Sequence, residues 1–178
     1  MFPAIFLDRD GVIIENRPDY VRSWEDVSFI PGALSALAKA STSKYKIIIV
    51  TNQSAIGRGI IPYRTAEEIN QRLIQVISNA GGRVDGVFMC PHAPEENCSC
   101  RKPQPGLILQ AAEALNLDLS RSTLIGDALS DIQAGQAAGV RQKILVRTGL
   151  GSYQNNLPQP LDPYSVYDSL AEALGDCL

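Results

Sequence analysis

The feature that most constrains the fold of this chain is the regular alternation of short apolar runs with longer amphipathic segments. The run Lys46–Val50 is β-branched and almost uninterrupted, which is typical of a strand buried on both faces. Similar short runs, each followed by a turn or loop, predict four more strands, at Ala4–Leu7, Gly86–Met89, Ser122–Ile125 and Lys143–Val146.

Between these runs the sequence predicts helices with recognisable ends. They are Ala33–Ala40, opened by Pro31; a helix from a capping box at Thr65–Glu68 to Gly81-Gly82; Pro105–Asn116; and Ala128–Ala138, ended by Gly139. Such alternation predicts an α/β fold of three layers, a Rossmann-like parallel sheet with helices on both faces. The 178 residues suit one domain, 1–178, whose tail (151–178) begins with a loop over 151–165 and ends in a short helix.

Composition and net charge indicate which classes of binding partner the chain is suited to. Hydrophobic residues make up 45% of the chain and charged residues 20%, as in ordinary globular proteins. The net charge of −3 argues against a general nucleic-acid or anionic-membrane binder. The start of the chain lacks a basic segment, and no apolar run is long enough to cross a bilayer, so we expect no signal peptide and a cytoplasmic location. The sequence shows no coiled-coil seam or exposed strip that argues for a dimer, so we expect a monomer.

Polar residues follow the predicted strands at the points where the strands end. They are "DRDG" (8–11), "TNQS" (51–54), a Cys/His loop (90–100) and "GDALSD" (126–131). Ligands of open α/β sheets bind outside the carboxyl ends of the strands, so these four segments are expected to meet in one crevice.

Asp8, Asp10 and Asp127 would repel one another in such a crevice unless a cation neutralised them, and hard oxygen ligands favour Mg²⁺. Thr51 offers a hydroxyl and Lys102 a positive charge that suits a phosphoryl oxygen. Taken singly, each motif also fits a solvated turn or a helix cap. Their shared placement at strand ends favours one phosphate-handling site.

The loop "CPHAPEENCSCRKPQPG" (90–106) holds the only histidine and three of the four cysteines. Cys90, His92, Cys98 and Cys100 form a closed four-ligand set that suits structural Zn²⁺. A Cys90–Cys98 disulfide and a catalytic cysteine paired with His92 are the alternatives. The loop has little apolar content, so metal ligation would supply its order and hold Arg101 and Lys102 at the site.

The motifs "FLDRDGV", "VTNQS", "CRKP" and "IGDALSDIQAG" resemble the four motifs of the haloacid dehalogenase superfamily of phosphatases, from residue 6 to about residue 149. Within it, "TNQSAIGRG" and the Cys/His loop resemble the family of D-glycero-D-manno-heptose-1,7-bisphosphate 7-phosphatases, with histidinol-phosphate phosphatases as close kin. The five residues between His92 and Cys98 make the loop compact, as in the histidinol-phosphate branch.

This resemblance implies a role for each motif residue. Asp8 would be the nucleophile that forms an aspartyl-phosphate, and Asp10 the general acid and then the general base. Mg²⁺ would be held by the Asp8 side chain, the Asp10 backbone carbonyl and Asp127, while Thr51 and Lys102 stabilise the phosphoryl group. Asp131 lies one helical turn after Asp127 and is expected to support the site, with a charge on the helix surface as the alternative.

The spacing between motifs leaves no room for the inserted cap domain that many superfamily members use, so loops must recognise the substrate. Arg101 is expected to reach a second, more distant phosphate. The other predicted substrate contacts are Arg9, Asn16, Asp19, Tyr20, Asn52, Gln53 and Ser54, of which the resemblance points to Asn16, Asp19 and Tyr20 as sugar contacts.

The resulting prediction is a Mg²⁺-dependent phosphatase with a small phosphorylated sugar as substrate. It would remove the 7-phosphate of a heptose 1,7-bisphosphate. A histidinol-phosphate phosphatase is the nearest alternative, and a polynucleotide 3′-phosphatase would need a basic groove. A non-catalytic zinc knuckle for nucleic acid is the alternative from another class, but it leaves the three aspartates without a role.

Overall fold

Six strands form one parallel sheet in a computed structural model that describes residues 1–153 and 162–178. The spatial order is β3-β2-β1-β4-β5-β6, and every neighbouring pair is parallel. The strands are β1 (Ala4–Leu7), β2 (Lys46–Asn52), β3 (Gly86–Cys90), β4 (Thr123–Gly126), β5 (Gln142–Val146) and β6 (Ser165–Tyr167). The helices are α1 (Ala33–Ala40), α2 (Ser54–Gly57), α3 (Tyr63–Asn79), α4 (Gly106–Leu115), α5 (Leu129–Ala138) and α6 (Leu170–Cys177).

Helices cover both faces of the sheet, as the apolar strands require. Ile5 and Leu7 of β1 face a core with side chains from α1, α3 and α6. Phe6, the residue between them, faces a second core built with α4 and α5. Successive strand residues point to opposite faces, so a strand with no polar position must be covered on both. The predicted three-layer α/β architecture is confirmed.

The order of the strands places the site. The chain moves outward from β1 to β2 and β3, then returns to the other side of β1 to form β4, β5 and β6. A crevice therefore opens between the carboxyl ends of β1 and β4, where the two halves of the sheet diverge. The backbone N–H of Asp8 donates to the carbonyl of Ile125 at 3.0 Å, so the residues after these strands start side by side.

Most element predictions are confirmed, including the ends of α4 at Asn116 and of α5 at Gly139, both in left-handed conformation. The start of α3 was predicted wrongly. The helix begins at Tyr63 because the carbonyl of Pro62 accepts the Thr65 N–H, and Thr65 therefore lies inside the first turn. Glu68 instead accepts from Arg64 at 2.8 Å.

Two further differences concern the start of α1 and the edge of the sheet. The residue that opens α1 is Gly32, with φ of +83°, and Pro31 lies in the turn before it. A sixth strand, β6, pairs with β5 at the sheet edge and was missed, because three residues carry no readable periodicity. The final short helix is confirmed as α6, and residues 154–161 of the predicted loop lie outside the described residues.

Candidate active site

Three carboxylates meet at the crevice. Asp8 follows β1, Asp127 follows β4, and Asp131 lies in the first turn of α5. One oxygen from each lies within 4.8 Å of the others. The Nζ atom of Lys102 lies 2.9 Å from Asp8 Oδ1 and 2.6 Å from Asp131 Oδ1. Three acids and one cation leave this cluster with a net negative charge.

Lys102 is held in place along its whole length. Its side chain is 2% exposed, and Nζ also donates to the carbonyl of Val50 at 2.9 Å. Its backbone N–H donates to Asn52 Oδ1, and its carbonyl accepts from Asn52 Nδ2, both at 3.0 Å. Asn52 was predicted to contact substrate, whereas both ends of its amide bind the backbone that carries Lys102.

The charges of this cluster shift its pKa values strongly. Burial raises the pKa of Asp8 well above its usual range; Lys102 opposes the shift, and the other carboxylates add to it. Burial and the charge of Asp131 raise the pKa of Asp127 to about 6. Burial alone would lower the pKa of Lys102, but the charges of Asp131 and Asp8 outweigh it and raise that pKa. A divalent cation beside the carboxylates would relieve this repulsion, and oxygen ligands suit Mg²⁺.

Asp131 is 1% exposed, so it is not a charge on the helix surface. Its Oδ2 atom accepts the backbone N–H of Ala128 at 3.0 Å, which closes the first turn of α5. Its Oδ1 atom is the one that faces Lys102. Asp131 thereby ties the start of α5 to the lysine that contacts Asp8.

Asp127 is enclosed by a segment that the sequence analysis did not single out. Its Oδ2 atom accepts from Asn16 Nδ2 and from the backbone N–H of Leu150, each at 2.8 Å. A Cβ added at Gly149 would lie 2.3 Å from the same oxygen, so only glycine fits there. This segment follows β5, and the rule that ligands gather at strand ends would have found it.

Asp10 lies in a network of hydrogen bonds beside the cluster. Its Oδ2 atom accepts from Arg9 Nε and from Gln53 Nε2, each at 2.9 Å. The same Gln53 nitrogen lies 2.8 Å from Thr51 Oγ1. Arg9 was predicted to contact substrate, but it is 1% exposed and also donates to Asn70 Oδ1 at 2.8 Å. Asn70, on α3, was not singled out from the sequence.

Of the remaining predicted substrate contacts, one is bound to the acidic cluster and three lie elsewhere. Asn16 is bound to Asp127, as described above. Asp19 is exposed, and Tyr20, with φ of +67°, packs against a small apolar cluster that contains Ala55. Ser54 is the first residue of α2.

The predicted Cys/His ligands form a second cluster, at the end of β3. The Sγ–Sγ distances are 3.6 Å for Cys90–Cys98, 3.1 Å for Cys90–Cys100 and 3.4 Å for Cys98–Cys100. His92 Nδ1 lies 3.5 Å from the Cys90 sulfur and 3.3 Å from the Cys100 sulfur. A disulfide requires about 2.05 Å, so the Cys90–Cys98 disulfide is not formed. Four converging donors of this kind could hold one tetrahedral metal ion.

The loop around this cluster contacts α2 and leads directly to Lys102. The backbone N–H groups of Gln53 and Gly57 donate to the carbonyls of Cys90 and Pro91, each at 2.8 Å. On the other side, the Arg101 N–H donates to the Cys98 sulfur at 3.3 Å. Burial raises the pKa of Cys98, but the hydrogen bonds from Arg101, Cys100 and Cys90 together outweigh it and lower that pKa to about 7.

Arg101 and Lys102 border a cavity of about 280 Å³ beside the loop. The guanidinium of Arg101 donates to the carbonyl of His92 at 3.2 Å, which holds it against the loop. The residues that line the cavity are Pro94, Asn97, Cys98, Arg101, Lys102, Pro103 and Gln104. This set includes two cations and no carboxylate.

Comparisons with known proteins agree with this geometry. Residues 99–173 match the model of the HAD-hydrolase-like family. The strand order and the acidic cluster between β1 and β4 are those of a haloacid dehalogenase-type phosphatase. A crystal structure of D,D-heptose 1,7-bisphosphate phosphatase from Bordetella bronchiseptica, complexed with magnesium and phosphate, superposes with a TM-score of 0.90 at 34% identity, over 98% of this chain and 97% of that one.

Relatives with named functions define the family within this class of phosphatases more closely. A D-glycero-beta-D-manno-heptose-1,7-bisphosphate 7-phosphatase from Helicobacter pylori (strain J99) is 44% identical over 80% of this chain and 82% of its own length. One from Pseudomonas putida is 36% identical over 94% of both chains. The chain therefore belongs to the D-glycero-beta-D-manno-heptose-1,7-bisphosphate 7-phosphatase family. No helix among the described residues is long and apolar enough to cross a membrane.

Proposed function

We propose that this chain is a Mg²⁺-dependent phosphatase that removes the 7-phosphate of D-glycero-D-manno-heptose 1,7-bisphosphate. The observation that carries the proposal is the placement of Lys102 between Asp8 and Asp131, beside Asp127, at the point where the strand order reverses. The relatives described above are named for this reaction on the beta anomer. We propose the same substrate here.

Asp8 is the proposed nucleophile. Its Oδ1 atom accepts the backbone N–H of Arg9 at 2.8 Å and faces Lys102, so the carboxylate is oriented before substrate arrives. Attack on phosphorus forms a bond from an Asp8 oxygen while the bond from phosphorus to the sugar oxygen breaks. Lys102 and the hydroxyl of Thr51 stabilise the negative charge of the transferring group.

Asp10 is the proposed acid and base. It gives its proton to the departing sugar oxygen in the first step. In the second step its carboxylate takes a proton from the water that attacks the aspartyl-phosphate, which restores Asp8 and releases phosphate. Gln53 joins Asp10 to Thr51 and thereby links the acid to the phosphoryl-binding side of the site.

The residues present fit the two metals. Asp8, Asp127 and the backbone carbonyl of Asp10 would hold Mg²⁺, which supplies positive charge for the phosphoryl oxygens. Asp131 would orient Lys102. Cys90, His92, Cys98 and Cys100 would hold Zn²⁺ as a structural ion, since four protein ligands leave no position for a reacting water.

The surface around the site suits an anionic substrate. Arg101 borders the cavity next to Lys102, and we propose that it binds the second phosphate. The absence of a carboxylate among the described residues of that cavity disfavours the amine of histidinol phosphate. Within residues 1–153 no inserted domain separates β1 from β2 or β2 from β3, so the loop that bears Asp19 and Tyr20 and the start of α2 at Ser54 would complete the sugar site. A cytoplasmic monomer remains part of the proposal.

Phosphate release with Mg²⁺ from heptose 1,7-bisphosphate and from histidinol phosphate, measured side by side, tests the proposal. We expect kcat/KM for the bisphosphate to exceed that for histidinol phosphate by at least about 10²-fold, the order lost when a charged partner is left unpaired. Arg101→Ala should lower kcat/KM for the bisphosphate and leave that for histidinol phosphate nearly unchanged. A preference for histidinol phosphate would overturn the substrate and keep the catalytic residues.

A further inference from the structure

Arg9 is the largest side chain that is fully buried in the described chain, and its guanidinium has defined partners. Nε lies 2.9 Å from Asp10 Oδ2, and one terminal nitrogen lies 3.2 Å from Asp10 Oδ1. The other terminal nitrogen donates to Asn70 Oδ1 at 2.8 Å. Arg9 therefore contacts both oxygens of Asp10 on one side and α3 on the other.

Asn70 is itself fixed. It is 6% exposed on the inner face of α3, and its Nδ2 atom lies 3.6 Å from the sulfur of Met89 on β3. This contact turns the amide oxygen toward Arg9. An amide oxygen is an unusual group to bury unless it accepts a hydrogen bond, and here the acceptor meets a buried guanidinium.

A guanidinium is planar and rigid, so fixing one terminal nitrogen also fixes the directions of the other N–H groups. The carboxylate of Asp10 is 22% exposed and has room to turn. Its direction toward the crevice is therefore set by the Arg9 fork and by Gln53. The orientation of the Arg9 guanidinium is fixed in turn by its hydrogen bond to Asn70.

We propose that Asn70 is a positioning residue for the acid–base step, acting on Asp10 through Arg9. The inference rests on the proposed phosphatase function and adds to it a residue on α3, outside the motifs at the strand ends. Without the Asn70 oxygen, Arg9 loses its anchor, and the carboxylate of Asp10 is no longer held where the departing oxygen needs a proton.

The test is the dependence of kcat/KM on the leaving group, measured with a series of substituted phenyl phosphates and saturating Mg²⁺. The value of kcat/KM includes only the steps up to departure of the phenol, so its dependence on the leaving group reports the proton transfer from Asp10. Good leaving groups need little help from an acid, and poor ones need much. For Asn70→Leu we expect at least about a 10-fold loss for the poorest leaving group and less than about 3-fold for the best, a fraction of the usual contribution of a general acid.

Three controls separate positioning from folding. Asn70→Asp keeps an oxygen at this position and should restore the wild-type slope. Ile77→Val changes a buried residue of the same helix away from Arg9 and should leave the slope unchanged. In an Arg9→Lys background, Asn70→Leu should add little, because residues that act through one another are not additive.

A loss that is equal for all leaving groups would make Asn70 a purely structural residue and overturn the inference. Full additivity with Arg9→Lys would overturn it as well, because Asn70 would then act by another route. The proposed function fails separately and earlier, if the wild-type enzyme releases no phosphate from heptose bisphosphate or from any phenyl phosphate.

Discussion

The two ligand clusters at the carboxyl edge of the sheet are built in opposite ways. The four donors of the Cys/His cluster come from residues 90–100, a single short loop. The acidic cluster is distributed: Asp8 follows β1, Asp127 follows β4, Asp131 lies in α5, and Lys102 lies in the segment before α4. A local cluster can be recognised from spacing alone, whereas a distributed one exists only when the sheet is complete.

The two clusters should therefore respond differently to damage. Loss of metal from the loop would release its order, because the loop has little apolar content to hold it. The sheet would remain folded, since its strands are buried in two apolar cores. Loss of a carboxylate from the acidic cluster would leave the fold and remove the chemistry.

The largest effect is expected for Asp8→Asn, which removes the proposed nucleophile. Turnover should fall by at least roughly 10⁴-fold, the order seen when a reacting group is deleted. The melting temperature of the Mg²⁺-free protein should not fall, because burial of the Asp8 carboxylate is unfavourable and raises its pKa. Phosphate release and a thermal melt measure both results. Sustained multiple turnover in this variant would refute an aspartyl-phosphate mechanism.

Cys98→Ser breaks the local cluster. The Zn²⁺ proposed for this loop should no longer bind, and turnover should fall about 10²-fold as Arg101 and Lys102 lose their anchor. Zinc content by elemental analysis and phosphate release should drop together, with the far-ultraviolet circular dichroism largely kept. Cys177→Ser is the matched control, since Cys177 lies in α6 and should change neither result. A zinc-free Cys98→Ser protein with full activity would contradict the positioning role of the loop.

Gly149→Ala perturbs the acidic cluster without changing a ligand. A Cβ at this position would meet Asp127 Oδ2 at 2.3 Å, so the Mg²⁺ concentration for half-maximal activity should rise roughly 10–100-fold. Gly139→Ala is the control, because Gly139 also has a positive φ but has no atom within 4 Å of an added Cβ. That control carries a similar backbone strain, so an equal effect on Mg²⁺ dependence in both variants would dismiss a specific contact with Asp127.

The smallest effect is on stability as a function of pH. The pKa of Asp127 is raised to about 6, so the folded state binds more protons than the unfolded state between the ordinary aspartate range and about pH 6. The melting temperature of the Mg²⁺-free protein should therefore fall as the pH rises through this window. Asp127→Asn should reduce the slope and leave the part that comes from Asp8, whose pKa is also raised, while the exposed Asp19→Asn should leave the slope unchanged. An unchanged slope in Asp127→Asn would remove Asp127 as its source.

The sequence was informative wherever the signal was local. The apolar runs predicted five of the six strands, and the left-handed ends at Asn116 and Gly139 marked two helix ends. The spacing of Cys90, His92, Cys98 and Cys100 predicted a common site, and the four side chains do converge. These features depend on neighbours within about a dozen residues, so they can be predicted from the amino-acid sequence alone.

The hydrogen-bond partner of each buried polar group depends on the tertiary structure. Arg9 and Asn52 were predicted to contact substrate. In the structure Arg9 donates to Asn70, and Asn52 donates to the backbone of Lys102. The contact of Leu150 with Asp127 was likewise not predicted, because only the folded chain brings the Leu150 N–H to that carboxylate. These pairs lie 61, 50 and 23 residues apart in the chain. Burial forces each polar group to find a partner, and only the packed sheet determines which partners are within reach.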